Sequence, residues 1–181
     1  PLTGTGEDVG CEWDKCEVTT AAGFQEAYAK DIEGGWNGLA CSPDHGGQGM
    51  PGTLNVLVEE MMCSSNMAFG CYAGVTRGAY RALNAVGCTE FKALYLPRLA
   101  GGEWSGTMCL TEPQCGTDLV LIRTRAEHDD DGNYALRGTK IFISAGEHDL
   151  SSNIIHLVLA RLPDAPAGIK GISLFLVPKF L

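Results

Sequence analysis

The sequence predicts an α+β chain: an N-terminal antiparallel helical layer followed by an antiparallel, barrel-like β domain. Apolar residues recur at helical spacing from residue 19 to about residue 100. The period changes to alternation after Glu103, and turn-forming clusters then follow at short intervals. With 181 residues, 45% hydrophobic and 19% charged, the chain can bury a core, which excludes a disordered polypeptide. The expected division is an irregular lead over 1–18, a helical domain over 19–103 and a β domain over 104–181.

Thr19 and Thr20 read as a helix start, with Phe24, Ala27, Tyr28 and Ile32 on the inward face and Gly34-Gly35 as the stop. The Gly-rich stretch 36–52 contains Gly46, Gly47 and Gly49. It lacks the Gly-Lys-Ser/Thr of a phosphate loop and reads as a tight connection between helices. Pro51 opens the next helix, whose inward face is read as Leu54, Leu57, Val58, Met61 and Met62, with Glu59 and Glu60 solvated. A helix rich in small residues follows over 67–86 and ends at Gly87. Thr89 is expected to cap the last helix, with Phe91, Leu94, Tyr95 and Leu99 inward and Gly101-Gly102 ending it. Strands are expected over 104–110, 121–127, 134–144, 154–161 and 172–177. Asp129, Asp130 and Asp131 form a solvated hairpin turn, since their spacing is not that of a calcium loop.

The formal charge of −9, without any run of Lys or Arg, excludes a nucleic-acid-binding class. Eight cysteines without a CxxC pair argue against a zinc site. They are read as reduced, buried thiols of a cytoplasmic protein. No apolar run reaches membrane-spanning length.

Two stretches carry chemistry. In the first, LTEPQCGTD over 110–118, a strand is stopped by Pro113, which has no N–H to give a sheet. Gly116 is expected to permit a positive φ, and Thr117 and Asp118 to bond backbone amides. A loop of this kind exposes donors suited to a ring edge or a phosphate. In the second, GTKIFISAG over 138–146, strand alternation would put Lys140, Phe142 and Ser144 on one face, an aromatic wall beside a hydroxyl.

Both stretches resemble signature segments of the acyl-CoA dehydrogenase family, and the resemblance covers nearly all of the chain from residue 20. It implies an FAD cofactor. Met108 and Leu110 would contact the flavin ring, Thr111 its polar edge, Gly116 and Thr117 the pyrophosphate. Phe142 would lie against the flavin, Ser144 would reach it near N5, and Ile143 would lend backbone. Cys115 and Leu121 depart from the small residues usual there, Phe142 replaces the commoner Trp, and Ser144 the commoner Thr. The family's reaction removes an α-proton from an acyl-CoA thioester and passes the β-hydride to the flavin. The base usually lies in a following C-terminal helical domain, so it is expected beyond Leu181 and no catalytic residue is nominated. The 181 residues are expected to be a fragment that alone binds FAD poorly and lacks activity. The resemblance further implies an electron-transfer flavoprotein or similar acceptor and a homo-oligomer. The stretches 33–39, 146–149, 153–166 and 171–181 are similar to one branch, the bacterial 3-methylmercaptopropionyl-CoA dehydrogenases, which suggests 3-(methylthio)propanoyl-CoA. A same-fold flavin oxidase and a non-catalytic degenerate member are the alternatives.

Overall fold

The structure, a computed structural model, describes residues 5–181; residues 1–4 of the irregular lead lie outside them. The rest of that lead is not irregular. It holds a short helix α1 (Thr5–Asp8) and a two-stranded hairpin, β1 (Glu12–Asp14) and β2 (Glu17–Thr19). Lys15 and Cys16 turn the hairpin with φ of 47° and 70°, the left-handed pair that a tight two-residue turn requires.

Helix α2 (Phe24–Glu33) starts later than the threonines suggested, because Thr20 gives its N–H and hydroxyl to Asp149 instead of to a helix. Helix α3 (Gly52–Val86) joins the two expected helices, which meet at Asn66, whose φ of −159° breaks the helical backbone. The Asn66 side chain accepts from the Phe69 N–H and so restarts the second half. Helix α4 (Thr89–Gly101) is preceded by Cys88 at its cap, without a side-chain cap, and ends at Gly102, whose φ is 72°.

The first half of α3 is turned the other way from the expectation. Leu54, Leu57 and Met61 are exposed, while Asn55 is buried and donates to Glu59. Glu59 in turn receives the buried Arg77 guanidinium at 2.8 Å, so it is an ion-pair partner and not a solvated carboxylate. In α4, Phe91 and Leu94 are likewise exposed, and Tyr95, Leu96, Leu99 and Ala100 are buried.

The β region is a five-stranded mixed sheet centred on β6 (Asn153–Arg161). β7 (Ile172–Pro178) pairs antiparallel along one edge of β6. β3 (Trp104–Cys109) and β4 (Arg125–His128) both pair parallel to β6, at successive stretches of its other edge. β5 (Tyr134–Arg137) completes a hairpin with β4. The expectation of an all-antiparallel barrel is therefore corrected: two pairings are parallel, and the sheet does not close. The expected strands 121–127 and 134–144 shorten to β4 and β5; Leu119–Leu121 is a 3₁₀ turn.

Helices and sheet share one core, in which Cys41, Tyr80, Leu83, Leu96 and Leu99 meet Ile155 of β6. Contact is close at Gly106, where an added Cβ would lie 2.4 Å from the Ala79 Cβ. The Thr76 hydroxyl accepts from the Gly106 N–H at the same crossing. All eight cysteines are free thiols, but only Cys41, Cys109 and Cys115 are buried; the other five are exposed, against the expectation of buried thiols.

Candidate functional site

Between the last rung of β3 with β6, Cys109–Val158, and the rejoining rung Arg125–Arg161, the chain leaves the sheet as a loop. That loop is the first signature stretch. Glu112 organises it. Its carboxylate accepts from Gln114 Nε2, from the Arg123 and Thr124 N–H groups, from the Thr124 hydroxyl and from Lys140 Nζ, at 2.6–3.0 Å. Its backbone also exchanges two hydrogen bonds with Cys115, closing the turn over Pro113. Burial raises the pKa of a carboxyl, but the charged and neutral donors around Glu112 outweigh this and bring it down to about 2. Glu112 is thus an ionised anchor.

Lys140 ties the second stretch to the first, donating to the Leu110 carbonyl at 3.0 Å as well as to Glu112. The Ile141 N–H donates to the Thr111 carbonyl at 3.0 Å. The two stretches therefore lie side by side. Their local form differs from the expectation: 138–143 is not a strand, and the one-face argument for Lys140, Phe142 and Ser144 does not hold. Lys140 turns toward Glu112, Phe142 adopts a φ of 56°, and Ser144 lies in a turn. Phe142 is 87% exposed, an uncommon state for an aromatic ring in a left-handed backbone conformation.

Of the other nominated residues, Met108 is 42% exposed on a strand whose neighbours Thr107 and Cys109 are buried. Leu110, Thr111 and Ile143 are half-buried, and Gly116 and Thr117 are exposed. Gly116 does not adopt a positive φ, contrary to the expectation. An added Cβ there would meet nothing within 4 Å, so the fold itself does not require glycine. What the structure brings together is the run Leu110–Glu112 with 140–141; it gives no link from Gly116 or Thr117 to Ser144.

On the opposite face of β3, Ser105 lies 2.9 Å from His148 Nε2, and Thr107 lies 2.8 Å from His156 Nδ1. His148 Nδ1 accepts from the Leu150 N–H, so its Nε2 carries the proton toward Ser105. Desolvation lowers its pKa to about 4, despite the nearby Glu147 and Asp149 charges. Asp149 straps the helices to the sheet by accepting from Thr20 and Gln25. The roles of Glu112, Lys140 and His148 escaped the sequence reading. Only the placement of Glu112 and Lys140 inside the two signature stretches could have flagged the first two.

The family model for the acyl-CoA dehydrogenase N-terminal domain matches residues 10–103, and that for the middle domain matches residues 107–180. The chain belongs to the acyl-CoA dehydrogenase family. The 3-methylmercaptopropionyl-CoA dehydrogenase of Ruegeria pomeroyi is 48% identical over 100% of this chain and 31% of that protein. A butyryl-CoA dehydrogenase of Syntrophomonas wolfei is 36% identical over 99% of this chain and 30% of that protein. Among acyl-CoA dehydrogenase structures, a glutaryl-CoA dehydrogenase from Mycobacterium smegmatis in complex with FADH2 superposes with a TM-score of 0.71 at 27% identity. That match covers 86% of this chain and 38% of that one. The chain thus spans under a third of the length of these curated acyl-CoA dehydrogenase relatives.

Proposed function

We propose that the protein containing this chain carries out FAD-dependent α,β-dehydrogenation of an acyl-CoA thioester, with 3-(methylthio)propanoyl-CoA as substrate. The observation that carries this reading is the clamped pair of loops. Glu112 and Lys140 hold Leu110, Thr111 and Ile141 together, while Met108 and Phe142 stay exposed beside them.

The residues present suit a flavin dinucleotide. Met108 and Phe142 offer apolar surface to a ring, Leu110 and Thr111 a backbone and hydroxyl edge, and Ile143 and Ser144 an amide and a hydroxyl. The open side of Gly116 leaves room for close approach of a phosphate to the Gly116 and Thr117 amides. Bound there, FAD supplies a two-electron hydride acceptor. This chain's own residues bind and orient. Glu112 is poorly suited to take the α-proton, since a pKa of about 2 makes it a weak base and its oxygens are already filled by five donors. In this reading the base is a carboxylate outside residues 1–181. The match to the Ruegeria protein over the whole chain supports the substrate. The electrons pass to an electron-transfer flavoprotein or similar acceptor, and the protein is a homo-oligomer.

The test is to purify the intact protein and record its visible spectrum, then assay it with 3-(methylthio)propanoyl-CoA and with butyryl-CoA using an artificial electron acceptor. A yellow protein with higher kcat/KM for the thioether substrate is the expected result. A colourless protein that stays colourless with added FAD overturns the cofactor assignment. A preference for butyryl-CoA overturns the substrate assignment alone.

A further inference from the structure

His148 is 3% exposed, and no step of the proposed dehydrogenation uses it. It sits on the segment 145–152, just before β6, where the helical layer is buttoned to the sheet. On the helical side, Asp149 accepts from the Thr20 N–H, the Thr20 hydroxyl and Gln25. The His148 ring stands edge-on to Tyr72 of α3, with centroids 5.1 Å apart. On the sheet side, His148 Nε2 meets Ser105 Oγ of β3, which lies 2.9 Å from Ser151 Oγ. Ser152 donates its N–H and its hydroxyl to the Glu103 carbonyl. A cleft of about 710 Å³ opens between α2 and residues 149–152.

The hydrogen bonds of His148 fit only the neutral ring. Nδ1 accepts from the Leu150 N–H at 3.1 Å, and the proton on Nε2 is taken up by Ser105. A second ring proton would set N–H against N–H at Nδ1 and leave the Leu150 amide without its acceptor. The charged and titratable groups facing the ring are Glu147 and Asp149 of its own segment, Lys179 after β7 and His156 of β6. From α3 comes Tyr72, whose hydroxyl lies 3.6 Å from the Cys11 thiol. The two carboxylates favour a charged ring, but both are committed elsewhere. Asp149 holds Thr20 and Gln25, and Glu147 holds Lys179 and the His148 N–H. Lys179 and His156 oppose the charge, and desolvation decides for the neutral form. Ala145, at the foot of the segment, keeps a φ of 54°, a strained state for a residue with a Cβ that release would relieve.

We propose that His148 is an acid-released latch: protonation of its ring frees the segment 145–152 from Tyr72 and Thr20 and opens the cleft beside α2. The latch governs how the helical layer meets the sheet and does not rest on the flavin reading. The ring titrates at an ordinary 6.5 when released and at about 4 when latched, so opening is suppressed at neutral pH and favoured as the pH falls below 6.5. Between about pH 7 and pH 5 the open fraction should rise roughly twentyfold.

Hydrogen–deuterium exchange of the intact protein over that range, corrected for the intrinsic pH dependence of amide exchange, reads the opening by mass spectrometry. Peptides covering 19–33 and 146–152 report the latch, and 154–161 of β6 is the internal reference. The expected result is a rise of roughly twentyfold in the first two and none of that size in the third. His148→Gln keeps a donor and an acceptor without a titrating ring, and should hold opening in those peptides flat over the same range. Exchange of the His148 Cε1 hydrogen in wild-type protein gives the ring's own titration, so the outcome does not hang on the folding of the variant; a midpoint well below 6.5 is expected. Opening that rises equally in 154–161, a His148→Gln protein that keeps the wild-type slope, or a ring that titrates at 6.5 overturns the proposal.

Discussion

Replacing Glu112 with Gln tests the clamp at its centre. The carboxyl is 3% exposed and held at a pKa of about 2 against an ordinary value of 4.5. That difference corresponds to about 3 kcal/mol favouring the ionised form in the folded state. The folded value lies below the unfolded one. The contribution is therefore complete above pH 4.5 and is lost as the pH falls toward 2. Glutamine removes the charge and puts an NH₂ among donors, leaving at least one of the Arg123 N–H, Thr124 N–H or Lys140 groups unmatched. A loss of about 3 kcal/mol is expected, which lowers Tm by roughly 6–12 °C for a unit of this size. Thermal and urea unfolding of the intact protein at pH 7 measure it, and repeating the melts from pH 6 to pH 3 should show a flattened acid limb in Glu112→Gln. Lys140→Met should cost less than Glu112→Gln, because four of the carboxylate's five donors remain, and the double variant should cost less than the sum. A Glu112→Gln protein that melts within about 1 °C of wild type, with an unchanged acid limb, refutes the clamp.

His148 is buried and neutral, with a pKa near 4 against an ordinary 6.5, so it should weaken the fold as the pH drops from 6.5 toward 4. His148→Gln should flatten the stability profile across that window in pH-dependent melts. Gly106→Ala should destabilise by about 2 kcal/mol or more, because the Ala79 Cβ stands 2.4 Å from the new methyl and both belong to packed elements; urea unfolding reads it. Gly116→Ala should leave Tm within about 1 °C of wild type yet weaken FAD binding about tenfold or more, read by flavin fluorescence on release. Phe142→Ser should likewise spare stability, since the ring is 87% exposed, while shifting the flavin absorbance band.

Much of the framework was legible because its signals are local. Gly34, Gly87 and Gly102 stop helices where the sequence puts punctuation, and the 129–133 turn joins β4 to β5 as its acids and glycine suggest. Pairings between distant segments were not legible. Nothing in 104–110 or 153–161 says whether the two run parallel, because that choice is made by where the intervening chain returns. The 138–144 stretch alternates like a strand, yet Lys140 and Ile141 bond back to 110–112 and Phe142 bends away, so partners outside the segment override its pattern. The first half of α3 shows the same limit. Its amphipathic stripe is real, but the buried Arg77 draws Glu59 and Asn55 inward and leaves Leu54, Leu57 and Met61 outside.

The signature loop leaves β3 after Cys109, beside Val158 of β6, and returns to the same edge of β6 at Arg125. Both of its feet stand against a single central strand, at Val158 and Arg161, like a handle riveted at two points. Exposed residues of the crown such as Gly116 and Thr117 can therefore be exchanged without touching a rung, whereas Glu112 cannot. Through such a handle, ligand preference can drift across generations while the scaffold beneath it keeps its register.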